Sequence, residues 1–168
     1  MKNLVVKLIS GIWWSCALGV FGLAMTAEAG ETAMKGRYVN LKAQTDCTEV
    51  KDVDGHFVCS FEIPSVGIRD DGETYSRIVK GTGDYVKGAG KNQGYTISTF
   101  ADGSVMAVQW EGVSKFNEDK TRVVSGTYQC TGGAGRFEGI ECDGTWTSAV
   151  QKGGFTLGEY DGRMTLPD

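Results

Sequence analysis

Beyond residue 36, apolar and polar residues alternate in short runs with a period close to two, which predicts β-strands with one buried face. The alternation is clearest in Gly55–Pro64, where every second residue from Phe57 to Ile63 is apolar. No segment after residue 29 keeps the i, i+3, i+4, i+7 apolar spacing of an amphipathic helix. The pattern therefore predicts an all-β fold. The two faces of Gly55–Pro64 carry Phe57, Cys59, Phe61 and Ile63 on one side and His56, Val58, Ser60 and Glu62 on the other.

Five Asp-Gly dipeptides divide the chain, at 54–55, 71–72, 102–103, 143–144 and 161–162. Asp-Gly suits the positive-φ positions of the tight turns that join antiparallel strands. The dipeptide at 102–103 separates two strand-like segments, Gln93–Phe100 and Ser104–Glu111. We therefore predict a hairpin at this position.

The remaining strand-like segments bring the prediction to about eight strands. Eight antiparallel strands in one small domain favour a closed barrel, because closure leaves no exposed sheet edge. A β-sandwich is the alternative architecture. The other predicted strands are Arg37–Ala43, Gly55–Pro64, Tyr75–Lys80, Thr121–Cys130, Gly144–Val150, Gly154–Tyr160 and Gly162–Leu166.

The first 29 residues have the organisation of a secretory signal peptide. Lys2 and Lys7 are followed by an uncharged, mostly apolar run from Leu8 to Met25, and then by Ala27-Glu28-Ala29. A positive start, an apolar run and a small-x-small exit are typical of a cleaved signal. We predict cleavage after Ala29, a single domain over 30–168, and an exported protein that is periplasmic or secreted, without a membrane span after cleavage. The alternative is an uncleaved anchor helix.

The charge balance argues against two classes of partner. Removing Lys2, Lys7 and Glu28 from the 17 basic and 21 acidic residues leaves 15 and 20. Nucleic acids and anionic membrane surfaces are usually bound through basic patches. We therefore predict no nucleic-acid partner.

Four cysteines remain after the predicted cleavage site: Cys47, Cys59, Cys130 and Cys142. An even number of cysteines in an exported domain favours disulfide bonds. Four cysteines allow three pairings, and the equal spacing of 12 residues suggests Cys47–Cys59 and Cys130–Cys142. A zinc site is the alternative, but neither couple has the close spacing typical of structural zinc ligands. We predict no metal site and no cofactor.

The sequence contains no catalytic constellation. His56 is the only histidine and follows the Asp54-Gly55 turn, which favours an exposed loop position. Glu62 and Glu111 alternate with apolar neighbours, so a pair facing one cavity could perform acid–base chemistry. The alternative is that both carboxylates face solvent, as one side of an antiparallel strand normally does.

Four aromatic residues lie on predicted strands and are candidates for lining a cavity: Tyr95, Trp110, Tyr128 and Trp146. In a barrel they could form an apolar pocket with polar groups that orient a ligand. Alternatively they fill the barrel as core, since the interior of eight strands is barely wider than its own side chains require.

The segment Gly126–Ile140 contains the run Thr131-Gly132-Gly133-Ala134-Gly135-Arg136-Phe137-Glu138-Gly139. It resembles a strand, glycine turn and aromatic residue found in the dirigent and allene oxide cyclase group, where the pattern is G-G-T-G-[RK]-F-x-G. Ala134 stands where threonine is usual in that pattern. The resemblance implies an eight-stranded antiparallel barrel, calycin-like or allene oxide cyclase-like, with an apolar central cavity.

Members of that group steer or cyclise reactive small molecules. The matching segment is a structural turn, and no second motif places a catalytic residue, so the resemblance assigns no functional residue to this chain.

These observations lead to three hypotheses of function. The first is a non-catalytic exported barrel that binds a small apolar or amphipathic molecule, or a surface partner, in the cell envelope. The second is a cofactor-free cyclase or isomerase that acts inside the barrel, which requires a carboxylate or tyrosine facing a cavity. The third is a structural or adhesion module without a pocket, which requires an exposed edge or apolar patch.

Overall fold

The computed structural model describes residues 30–167, so the predicted signal peptide over 1–29 and its anchor alternative lie outside the described residues. Nine strands and one short 3₁₀ turn form this part of the chain. No helix within it is long and apolar enough to cross a membrane. The strands are β1 Thr32–Asn40, β2 Gln44–Glu49, β3 His56–Arg69, β4 Thr74–Val86, β5 Ala89–Phe100, β6 Val105–Phe116, β7 Arg122–Ala134, β8 Glu141–Val150 and β9 Thr156–Thr165.

Eight of the nine strands close into an antiparallel barrel. The strand order is β1-β9-β8-β7-β6-β5-β4-β3, and β1 pairs with β3 to complete the ring. Strand β3 divides one edge between two partners, because Ser65–Arg69 pairs with β1 and Phe57–Glu62 pairs with β2. Strand β2 therefore extends the wall outside the ring. The all-β barrel prediction is confirmed, and the sandwich alternative is wrong.

Three of the five Asp-Gly dipeptides form turns between strands. Gly55, Gly72 and Gly103 have φ values of 75°, 91° and 84°, which glycine adopts without strain. The hairpin predicted at 102–103 joins β5 to β6. The dipeptides at 143–144 and 161–162 instead lie inside β8 and β9, so the two predicted strands at the end of the chain are one strand.

The strand glycines of these two dipeptides have a packing role. Gly144 and Gly162 pair with each other across β8 and β9, and the Tyr128 hydroxyl lies directly over both. A Cβ atom at either position would overlap that hydroxyl. The dipeptides therefore allow the close approach of a tyrosine rather than a change of chain direction.

One end of the barrel is filled by side chains, and we call it the plugged end. The 3₁₀ turn Gly135–Phe137 between β7 and β8 inserts Phe137 there, 2% exposed, with its ring 4.7 Å from that of Phe100. This turn is the one helical element in residues 30–167, where the sequence predicted none. Other buried side chains at this end include Met34, Met106, Ile140, Cys142 and Met164.

Both disulfide bonds have the pairing that the spacing suggested. Cys47–Cys59 joins directly opposed residues of β2 and β3, and Cys130–Cys142 joins β7 to the start of β8. The disulfide prediction is confirmed, and the zinc alternative is wrong because all four sulfur atoms are consumed in the bridges.

Candidate functional site

The candidate site is a cavity of about 670 Å³ inside the barrel, lined by side chains from all nine strands. Its floor is the plugged end, where Met34 and Met106 contribute to the lining. At the opposite end the lining reaches residues beside the turns between strands, including Gly88, Arg122 and Val150. The cavity therefore opens between those turns, and we call that end the open end.

Three of the four predicted cavity aromatics line this space: Trp110, Tyr128 and Trp146. The two indole rings meet edge to face with centroids 5.8 Å apart, and the Phe61 ring stacks beside Trp110 at 6.2 Å. These rings provide an apolar wall that suits a flat hydrophobic molecule. Whether they bind a ligand stays a prediction.

The fourth candidate, Tyr95, faces outward and is 52% exposed, which corrects its predicted cavity position. It lies opposite Gln109 on β6, whereas Trp110 lies opposite Gly94. Directly opposed residues share a face of a sheet, so Tyr95 and Trp110 are on opposite sides of the wall. The inner face of β5 carries small polar side chains instead, namely Asn92, Thr96 and Ser98.

Three buried polar atoms in the cavity wall have no hydrogen-bond partner within residues 30–167: Trp110 Nε1, Tyr128 Oη and Asn92 Oδ1. Their residues are 9%, 7% and 6% exposed. A buried polar atom without a partner costs about 1–3 kcal/mol. Neighbouring atoms of the wall cover all three, so a molecule in the cavity would reach them only after a side chain moves.

The buried tyrosines are hydrogen-bond donors rather than bases. Burial raises the pKa of Tyr128, and the carboxylates of Asp161 and Asp143 raise it further. Burial also raises the pKa of Tyr160, whose ring meets that of Tyr128 edge to face at 6.4 Å. Both phenols stay protonated at neutral pH, so they can donate a proton in a hydrogen bond.

Arg77 projects from β4 into the cavity. Its Nε donates to Ser65 Oγ at 3.0 Å and its Nη2 donates to Asn40 Oδ1 at 3.1 Å. Its guanidinium carbon lies 3.8 Å from the centre of the Tyr38 ring. These three contacts fix the plane of the guanidinium group.

Arg122, the first residue of β7, lines the cavity at the open end. Its Nε donates to Ser114 Oγ at 2.7 Å, and its guanidinium carbon lies 4.9 Å from the centre of the Tyr85 ring. Ser114 is fully buried and donates to the Gly88 carbonyl at 2.9 Å. The buried hydroxyl therefore holds this arginine as Ser65 holds Arg77.

Sequence reasoning missed both arginines, although a signal for them was present. Arg77 shares the period-two face of Tyr75 and Val79, and Arg122 shares that of Val124 and Tyr128. An arginine on the apolar face of a strand indicates a charge that faces the interior. Arg136 of the glycine turn differs from both, because it lies at the plugged end in ion pairs with Glu73 and Asp102.

The chain matches no protein-family model and no curated protein sequence. Its structure is similar to that of the pterocarpan synthase dirigent protein GePTS1, with a TM-score of 0.50 and 13% identity over 83% of this chain and 86% of that one. The chain has a dirigent-like barrel fold. The pterocarpan synthase dirigent protein PsPTS1 has a TM-score of 0.49 and 13% identity over 84% of this chain and 98% of its own. At this identity the likeness shows the fold alone.

The predicted acid–base residues lie outside the cavity of this dirigent-like barrel. Glu62 forms an ion pair with Lys80 at 2.9 Å, and Glu111 is exposed. Both carboxylates face solvent, as the alternative interpretation stated. His56 lies between two surface aspartates, with Nδ1 2.5 Å from Asp52 Oδ1 and Nε2 2.8 Å from Asp84 Oδ1. Among residues 30–167 no aspartate or glutamate lines the cavity.

Proposed function

We propose that this chain is an exported protein whose barrel binds a small amphipathic molecule with an apolar body. The observation that carries the proposal is the cavity of about 670 Å³, whose mostly apolar lining includes a few polar side chains such as Arg77 and Arg122. Small-molecule sites are commonly about 300–1,000 Å³, mostly apolar, with a few placed polar groups. The cavity has that size and composition, and it argues against the module without a pocket.

Two observations support export. The first 29 residues have the pattern of a signal peptide. The domain carries two disulfide bonds, which form and persist in oxidising compartments. The proposal therefore places the protein in the periplasm or outside the cell, with residues 30–168 as the mature domain.

The run Thr131–Gly139 supports a link with dirigent proteins, because its resemblance to the glycine turn of that group agrees with the dirigent-like fold. The related barrel is named a pterocarpan synthase dirigent protein. A role in holding or steering a small reactive molecule is therefore part of the proposal for this chain.

A second candidate is a cofactor-free cyclase or isomerase, and Tyr128 is the observation that favours it. Tyr128 lines the cavity, and its hydroxyl is buried in the wall, lacks a partner and has a raised pKa. After a rotation of its side chain into the cavity, this hydroxyl could donate a hydrogen bond to an oxygen atom that gains charge during a rearrangement. The described part of the chain places no carboxylate base in the cavity wall, so this alternative is restricted to reactions that need placement and hydrogen-bond donation.

Binding can be measured through the two tryptophans that follow the signal, Trp110 and Trp146, since both line the cavity. We expect the fluorescent probe 1-anilinonaphthalene-8-sulfonate to accept energy from them with saturable binding. Thr96→Phe, which fills the cavity, should abolish this transfer. Thr99→Phe is the matched control, because Thr99 lies on the outer face of the same strand.

Native mass spectrometry of protein exported by a bacterial host provides an independent test. A ligand retained from the host would add mass that disappears on denaturation. Bare protein in the native spectrum, together with equal probe binding by the two threonine variants, would contradict the proposed function.

A further inference from the structure

The interior of the barrel carries positive charge without negative charge. Arg77 and Arg122 line the cavity, and no aspartate or glutamate of residues 30–167 does. The chain as a whole is acidic, with a formal net charge of −4. The acidic side chains of residues 30–167 are therefore confined to the outside of the barrel, while two guanidinium groups face its interior.

The other arginines with side-chain partners differ from these two. Each of them pairs with two carboxylates: Arg69 with Asp71 and Glu73, Arg136 with Glu73 and Asp102, and Arg163 with Asp143 and Glu31. No carboxylate of residues 30–167 forms an ion pair with Arg77 or Arg122. A charge that is partly removed from water and lacks a counter-charge is costly, so these two arginines gain most from an anion.

The same arrangement holds each cavity arginine. In each case a buried serine hydroxyl accepts a hydrogen bond from the arginine Nε and donates one to a backbone carbonyl. Ser65 links Arg77 to the Val39 carbonyl in this way, and Ser114 links Arg122 to the Gly88 carbonyl. A tyrosine ring lies under each guanidinium group. Because Nε is the atom engaged by serine, the planar group is fixed in orientation while most of its Nη hydrogens stay available. Guanidinium hydrogens bind carboxylates in pairs.

We propose that the cavity binds a small aromatic acid, whose carboxylate pairs with Arg77 or Arg122 and whose ring packs against Trp110 and Trp146. This inference rests on the proposed function and adds the charge of the ligand. The aromatic body follows from the indole and phenyl rings that form the apolar wall. The acid group follows from the lining, to which the described residues contribute two fixed cations and no anion.

The test compares 1-naphthaleneacetic acid with 1-naphthaleneacetamide, which share a ring system and differ in charge. Isothermal titration calorimetry of the disulfide-bonded domain should show the acid binding about tenfold more tightly or better, since charge-assisted hydrogen bonds are the strong ones. Added salt should weaken binding of the acid and leave binding of the amide unchanged.

Arginine variants locate the anion site. Arg77→Gln and Arg122→Gln should together remove the preference for the acid, and the single variant with the larger loss identifies the guanidinium group that holds the carboxylate. Arg37→Gln is the control, because Arg37 is exposed on the outer face of β1. Arg77→Lys and Arg122→Lys keep the charge, and they should retain part of the preference even if a glutamine variant folds poorly.

The outcomes separate this inference from the proposed function. Equal affinity for acid and amide, or a preference that survives the double glutamine variant in a folded protein, overturns the anion site and leaves a neutral-ligand cavity. Absence of binding by both compounds, with no transfer to the anilinonaphthalene probe, overturns the proposed function itself.

Discussion

At the scale of single residues, the cavity wall combines stability with unsatisfied hydrogen-bonding capacity. The Tyr128 ring packs within the barrel core, yet its hydroxyl has no partner among the described residues. A hydroxyl that only stabilised the fold would be hydrogen-bonded, as the Ser65 hydroxyl is to the Val39 carbonyl. The Tyr128 hydroxyl, which packs over Gly144 and Gly162, therefore leaves an unmet hydrogen bond inside the wall.

We expect Tyr128→Phe to leave the unfolding free energy unchanged or to raise it by up to about 1 kcal/mol, because it removes a buried hydroxyl without a partner. Urea unfolding monitored by circular dichroism measures this. The Tyr95→Phe variant is the control, since the Tyr95 ring is largely exposed. A loss of more than 1 kcal/mol in Tyr128→Phe would mean that the hydroxyl is bonded within the fold.

At the scale of elements, strand β2 and the turn that joins it to β3 form an outer hairpin arm, the part of the wall outside the closed ring. It is attached by ladder pairing to β3, by the Cys47–Cys59 bridge, and by His56, which links the turn at Asp52 to Asp84 on β4. The second bridge lies within the ring. The Cys47–Cys59 bridge should therefore hold β2 against the ring, whereas the Cys130–Cys142 bridge should stabilise the ring itself.

Replacing Cys47 and Cys59 by serine should release β2 while the ring stays folded. A bridge over a loop of this length contributes about 3 kcal/mol in the chain-entropy model. Hydrogen exchange should show faster exchange across β2 and unchanged protection in β5 and β6. The matched pair, Cys130→Ser with Cys142→Ser, should lower protection throughout the ring. Equal patterns in the two double variants would contradict a separate outer hairpin.

His56 should make the attachment of this hairpin depend on pH. The hydrogen bond to Asp52, and then that to Asp84, raises the pKa of His56 above its ordinary 6.5. Its contribution to stability is complete below the unfolded pKa and is lost as pH rises through the raised folded pKa. Above that pKa, we expect the amide hydrogens of the turn between β2 and β3 to exchange faster. The increase should exceed the rise in the intrinsic exchange rate that higher pH alone causes. His56→Gln should remove this pH dependence, and an NMR titration of the single histidine measures its pKa directly.

At the scale of the whole molecule, the barrel is closed at one end and open at the other. The plugged end concentrates the fully packed side chains, whereas the rest of the interior is lined without being filled. A barrel of eight strands can fill its interior with side chains or hold one small ligand. The small side chains on the inner face of β5, such as those of Thr96 and Ser98, leave space for the cavity.

Phe137→Ala should be the most destabilising single truncation in the plug, by about 3–5 kcal/mol, because a large buried ring is lost and a void remains. Denaturant unfolding gives the value. Phe116→Ala is the control, since Phe116 is 49% exposed at the open end, and it should cost far less. Comparable losses in the two variants would show that the plug does not anchor the barrel.

The amino-acid sequence by itself determined the all-β class, the faces of β3, the hairpin at Asp102-Gly103 and the near spacing of the disulfide partners. These features depend on residues close together in the chain, where a period of two and turn chemistry act directly. Tertiary structure decided three other features: the closure of β1 on β3, the outward position of Tyr95, and the interior positions of Arg77 and Arg122. They depend on register between distant strands, and a shift of one residue would move every side chain of a strand to the other face.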